Sequence, residues 1–118
     1  MIMKFYGYKK CSTCRKAEAY LNEHGISFDF KDITEQPPGK AELKKILKLS
    51  HQGIRKLFNT SGQLYRDMGL KDKIASMEED EALDLLASNG KLIKRPIAFD
   101  GTTVTIGYKE EEYRKNWT

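Results

Sequence analysis

The stretch Tyr8-Lys9-Lys10-Cys11-Ser12-Thr13-Cys14-Arg15-Lys16-Ala17 holds both cysteines of the 118-residue chain. It joins an apolar run, Ile2 to Tyr8, to a strongly helical one ending near His24. Two thiols three residues apart at a helix start can close a small disulfide ring. Unpaired N–H groups and the positive end of the helix dipole stabilise a thiolate there. Lys9, Lys10, Arg15 and Lys16 add positive charge around it. The spacing reads as a reactive thiol with a partner thiol beside it. Helical periodicity puts Cys14 on the inward face with Ala17 and Leu21, and leaves Cys11 as the exposed thiol. Two blander readings stand beside this one. Both cysteines could be inert core residues, or they could be half of a zinc site. Zinc wants four ligands, and the two histidines, His24 and His51, form no ligand pair.

Working outward, Ile2–Tyr8 is the expected first strand and Ser12–Glu23 the first helix, stopped by Gly25. Ile26, Phe28 and Phe30 alternate with Ser27, Asp29 and Lys31, the pattern of a strand with one buried face. Strand, helix and strand within about 30 residues make a βαβ unit with parallel strands. Glu35-Gln36-Pro37-Pro38-Gly39 is a turn. Helical patterns follow over 40–49, after Gly53, and over 77–87, with a loop at 59–62. Two strands, Pro96–Phe99 and Thr103–Ile106, are joined by an Asp100-Gly101 hairpin turn. A last helix covers 109–116. The expected fold is thioredoxin-like α/β: a four-stranded mixed sheet, with a helical insertion at about 38–90, in one domain spanning 1–118.

Composition bounds the function. The charged fraction of 32% and apolar fraction of 39% suit a soluble protein, and no apolar run approaches membrane-spanning length. No secretory signal is evident, and a CxxC without one favours the cytoplasm, where a disulfide is transient and functional. The net charge of +4 is spread among interleaved acids, so direct nucleic-acid binding is not expected. That excess suits a small anionic substrate or an acidic protein partner. No cofactor is called for, and a monomer is expected.

Lys94-Arg95-Pro96 is the second feature. In this layout the loop entering the third strand faces the start of the first helix. An X–Pro bond adopts cis far more readily than others, which would turn Arg95 toward Cys11. The alternative is a proline that merely opens an edge strand beside a solvated Arg95. A CxxC at the matching topological place favours the first.

With these motifs placed, the chain resembles the arsenate reductase/Spx (ArsC-like) family of thioredoxin-like proteins over nearly its whole length. Its marks are the stretch 8–17, Pro37-Pro38 leading into Glu42-Leu43, and Ile54-Arg55-Lys56-Leu57-Phe58-Asn59-Thr60. Tyr65-Arg66-Asp67-Met68-Gly69-Leu70, Leu92 to Ile97, and Gly107-Tyr108 complete them. It looks closest to the uncharacterised Spx/MgsR-type members that carry a CxxC. The resemblance implies a thiol-dependent oxidoreductase, arsenate reductase-like, with Cys11 as nucleophile, Cys14 as resolving thiol in a Cys11–Cys14 disulfide, and Arg95 as an oxyanion ligand. Lys10, Ser12, Thr13, Asn59 and Pro96 are further candidate substrate-binding residues. Thioredoxin or glutathione systems are the implied electron donors. The alternative it implies is an Spx-type redox-sensing regulator that binds the RNA polymerase α subunit; Gly53 lies near a glycine of that surface. Asn59 stands where the reductases place a second arginine, and Gly107 near where they place a third. Losing those cations predicts weak arsenate binding.

Overall fold

The computed structural model describes residues 2–117. Strand β1 (Met3–Gly7) leads through helix α1 (Ser12–Glu23) to β2 (Phe28–Asp32). β3 (Ile97–Phe99) and β4 (Val104–Ile106) come much later, and the four pair in the order β2-β1-β3-β4. β1 runs parallel to β2 and antiparallel to β3, and β3 runs antiparallel to β4. This is the mixed four-stranded sheet of the thioredoxin-like layout. Between β2 and β3 lie α2 (Lys40–Ser50), α3 (Gln63–Asp67), α4 (Leu70–Lys73) and α5 (Glu79–Ser88), with 3-10 turns at Ile54–Leu57, Ile74–Ser76 and Gly90–Leu92. Helix α6 (Glu110–Asn116) follows β4.

Alternation along β1 and β3 assigns the two faces of the sheet. Met3, Phe5 and Ala98 face α1 and α6, packing on Cys14, Ala17, Leu21, Tyr113 and Trp117. Tyr6, Ile97 and Phe99 face the other way, onto Leu43, Ile46 and Leu47 of α2 and Ala82, Leu83 and Leu86 of α5. The register makes this strict, because Phe5 sits opposite Ala98 and Tyr6 opposite Ile97. Each Leu or Ile buried in this way contributes about 2 kcal/mol.

Three differences from the sequence reading bear on the fold. The second strand starts at Phe28, not Ile26. Ile26 is spent on ending α1: its N–H donates to Leu21 O while Gly25, at φ +66°, donates to Asn22 O. That is a Schellman stop, in which the glycine takes the left-handed conformation at no Cβ cost. The first strand is shorter by one residue at each end than 2–8. Helices α3 and α4 were not read from the sequence. Each is about one turn long, too short to show a helical period, and each is held by burying Tyr65 or Leu70 in the core.

Candidate active site at the start of the first helix

Cys11 is the N-cap of α1, with extended backbone at φ −87° and ψ 120°. Its sulfur takes the place of a capping oxygen and accepts the Cys14 N–H at 3.4 Å. The preceding turn is closed by Cys11 N–H donating to Tyr8 O at 3.1 Å and pinned by Arg15 Nε donating to Lys9 O at 3.0 Å. Arg15 thus braces the loop. Lys9 lies 4.3 Å from the centre of the Phe30 ring.

Cys14 is fully buried, one turn further into the helix. Its sulfur accepts the Tyr8 N–H at 3.4 Å. Gly7 makes the room: a Cβ there would stand 2.9 Å from Phe5 Cε1 and 3.3 Å from Cys14 Sγ. Both cysteines are free thiols.

The two sulfurs are driven apart in acidity. Burial pushes Cys11 up, but hydrogen bonds from the Cys14 thiol and the Cys14 and Thr13 N–H groups, together with the Arg95 charge, outweigh it. Its pKa falls below the ordinary 9.0. Cys14 is pushed up to about 12, first by burial and then by its hydrogen bond to Cys11 and the Cys11 charge. One thiol is prepared to ionise, and the other is held protonated beside it.

Arg95 comes from the opposite end of the sequence. The Phe58–Ile93 bridge, with Asn59 N–H on Leu92 O and Lys94 N–H on Leu57 O, both at 2.7 Å, ties the 59–62 loop to the segment entering β3. The Arg95–Pro96 peptide bond is cis. The Arg95 guanidinium lies 5.6 Å from the centre of the Tyr8 ring. Beside it, Asp32 accepts from Thr34 Oγ1 at 2.6 Å and Thr34 N–H at 2.9 Å. Those bonds, with a smaller contribution from Arg95, hold the Asp32 carboxyl below its usual range.

A cavity of about 520 Å³ opens over Cys11, lined by Thr13, Asn59, Arg95, Lys94, Tyr108 and Lys109 among others. A second, of about 310 Å³, lies on the other side of Arg95 and Asn59, against Tyr8, Thr34, Leu64 and Lys91. Of the residues singled out from sequence, Cys11, Thr13, Asn59 and Arg95 meet at the first cavity. Cys14 lies directly beneath in the core. Lys10 and Ser12 are exposed and Pro96 is buried; none of the three lines either cavity. Tyr8, Lys94 and Lys109 were missed as site residues. The signals for them were proximity to marked residues: Tyr8 to Cys11, Lys94 to Arg95, and Lys109 to the Gly107-Tyr108 pair. Among the described residues no three His, Cys, Asp or Glu side chains gather as a metal site, and no helix is long and apolar enough to cross a membrane.

A mixed four-stranded sheet in the order β2-β1-β3-β4, with a CxxC at the start of the first helix, defines a thioredoxin-like protein. The chain belongs to the ArsC family, whose family model matches residues 6–116. It is 51% identical over 117 residues to the uncharacterised protein YusI of Bacillus subtilis, covering 99% of both chains. It is 35% identical to the regulatory protein MgsR of the same organism, over 96% of this chain and 88% of MgsR. A possible arsenate reductase from Streptococcus mutans superposes with a TM-score of 0.88 at 43% identity, over 96% of this chain and 98% of that one.

Proposed function

We propose that this chain is a thiol–disulfide redox protein in which Cys11 is the nucleophile and Cys14 the resolving thiol. The opposed acidities of the two sulfurs carry the reading: Cys11 lowered at the helix cap under Arg95, Cys14 buried and pushed up to about 12. The Cys11 thiolate attacks one sulfur of an oxidised substrate. The substrate S–S bond breaks, and its other sulfur leaves with the electron pair. Forming the mixed disulfide removes the Cys11 charge and hydrogen bond, two of the influences that hold Cys14 protonated. Cys14 then loses its proton and attacks Cys11 sulfur, expelling the second substrate thiolate. Two protein thiols become one disulfide and the substrate disulfide becomes two thiols; a thioredoxin or glutathione system in the cytoplasm returns the protein to the dithiol. Arg95 supports Cys11 and holds an anionic group of the substrate, which a planar guanidinium does in two-pronged fashion.

The test is a redox titration of the purified protein with thiol mass mapping, with and without arsenate. A reversible loss of two mass units located to Cys11 and Cys14 is expected. Two free thiols after mild oxidation would sink the reading. Arsenate turnover is expected to be weak, since Asn59 and Gly107 bring no charge; efficient arsenate reduction would overturn that reading of the two positions.

The likeness to MgsR, a regulatory protein, favours a second reading, in which the same disulfide is a sensing switch on a regulator; the partner that the family resemblance implies for such a regulator is the RNA polymerase α subunit. Calorimetric titration of reduced and oxidised protein with purified α subunit separates the two. Binding that differs between the redox states supports the regulator, and no binding in either state removes it.

A further inference from the structure

Asn59 and Gly107 bring no charge to the Cys11 cavity, yet the cavity is strongly positive. Lys94, Arg95 and Lys109 line it, and no Asp or Glu does. Lys94 runs beside Gly107: a Cβ there would be in ordinary van der Waals contact, 3.5 Å from Lys94 Cε. Gly107 is itself pinned there by its N–H donating to Pro96 O at 2.8 Å. The ion pairs among the described residues engage Lys4, Lys31, Lys40 and Arg114, and none engages Lys94, Arg95 or Lys109. The carboxylates nearby are Asp32, whose carboxyl feels the Arg95 charge, Glu112, which lines a neighbouring groove with Lys56, Lys94 and Lys109, and Glu110 and Glu23, whose charges act on Tyr108. The lining of the cavity itself carries three cations and no carboxylate.

We infer that Lys94 and Lys109 make the Cys11 cavity selective for small disulfides that carry carboxylates. The inference rests on the thiol–disulfide reading above and names its substrate class. A cleft lined by one sign of charge concentrates ligands of the other sign and speeds their arrival. Ammonium groups on flexible stems are point charges that follow an anionic group at variable distance, and the Arg95 fork beside them matches a planar carboxylate in two-pronged fashion. The volume, about 520 Å³, is in the range of small-ligand sites. The chemistry is the exchange already written. Cys11 sulfur bonds to one substrate sulfur, the carboxylate-bearing thiolate leaves with the S–S electron pair, and Cys14 releases the second while giving up its proton.

Stopped-flow oxidation of the reduced protein at pH 7 and low salt tests this with two probes. One is the dianionic 5,5'-dithiobis(2-nitrobenzoate), the other the uncharged 2,2'-dithiodipyridine. Any change in Cys11 acidity moves both rates, so the ratio of the two isolates charge selection. Lys94→Gln and Lys109→Gln should each lower the ratio about 3- to 10-fold, and the double variant more, by loss of electrostatic steering. Salt should erase the difference as screening shortens the reach of the charges. Lys48→Gln, which removes the same charge from an exposed α2 position, should leave the ratio unchanged. An unaltered ratio in the double variant, or an equal fall in Lys48→Gln, overturns the inference while leaving the thiol reading standing. If the uncharged probe fails to produce the Cys11–Cys14 disulfide in the wild type, the thiol reading itself fails and takes the inference with it.

Discussion

Alkylation should discriminate sharply between the two cysteines, and the structure sets the scale of the ratio. Cys14 is pushed up to about 12 while Cys11 is held below 9.0, a gap of more than about three units. Thiolate fractions at neutral pH then differ by more than about 1,000-fold, each unit being a factor of ten. The less basic thiolate is the poorer nucleophile, with a Brønsted slope of about 0.4–0.5, which returns a factor of roughly 20–30. The net preference for Cys11 is on the order of 30-fold on these terms. The complete burial of Cys14 adds to it. Pulsed iodoacetamide labelling of the reduced protein between pH 6 and 9, followed by peptide mass mapping, measures both rates. Cys11 should be labelled first at every pH, with a rate that levels off at a midpoint below 9.0. Cys14 labelling at a comparable rate while the fold stays intact would refute the argument. So would a Cys11 midpoint at or above 9.0, because the helix cap and Arg95 would then not be acting on the sulfur.

Further outcomes are expected. Cys14→Ser should accumulate a mixed disulfide at Cys11 on exposure to a small disulfide, seen by intact mass, because no resolving thiol remains; rapid clearance of the adduct would count against Cys14. Arg95→Ala should slow Cys11 alkylation near neutral pH by raising its pKa, and Arg95→Lys should impair anionic oxidants more than neutral ones; unchanged rates in Arg95→Ala would reduce Arg95 to a solvated residue at a strand edge. Tyr6→Phe removes the hydroxyl that donates to Glu42, which also holds Lys4 at 2.8 Å. Urea unfolding should show a loss of about 1.5 kcal/mol for this charge-assisted hydrogen bond. Gly90→Ala should cost about 3 kcal/mol or prevent folding, since its Cβ would fall 1.7 Å from Ile33 O and the backbone must move; wild-type stability would contradict the packing there.

What the sequence determined by itself is whatever depends on neighbours along the chain. The CxxC at a helix start, the apolar run of β1, the alternation in β2, the Gly25 stop and the Asp100-Gly101 hairpin are local in cause, so their positions were legible to within a residue or two. Cys14 could be assigned inward from helical spacing with Ala17 and Leu21. Tertiary structure alone decided the rest. Helices α3 and α4 exist because Tyr65 and Leu70 find a core, not because their own sequence has a period. Asn59 and Arg95 meet because a single backbone bridge, Phe58–Ile93, joins segments far apart in sequence. The charge of the Cys11 cavity is also a tertiary property. Aligned positions 59 and 107 read as missing cations, while Lys94 and Lys109 reach the same space from other backbone positions. A long flexible side chain can deliver its charge several ångströms from its own Cα, so the sequence lists the charges and only the packed backbone decides where they act.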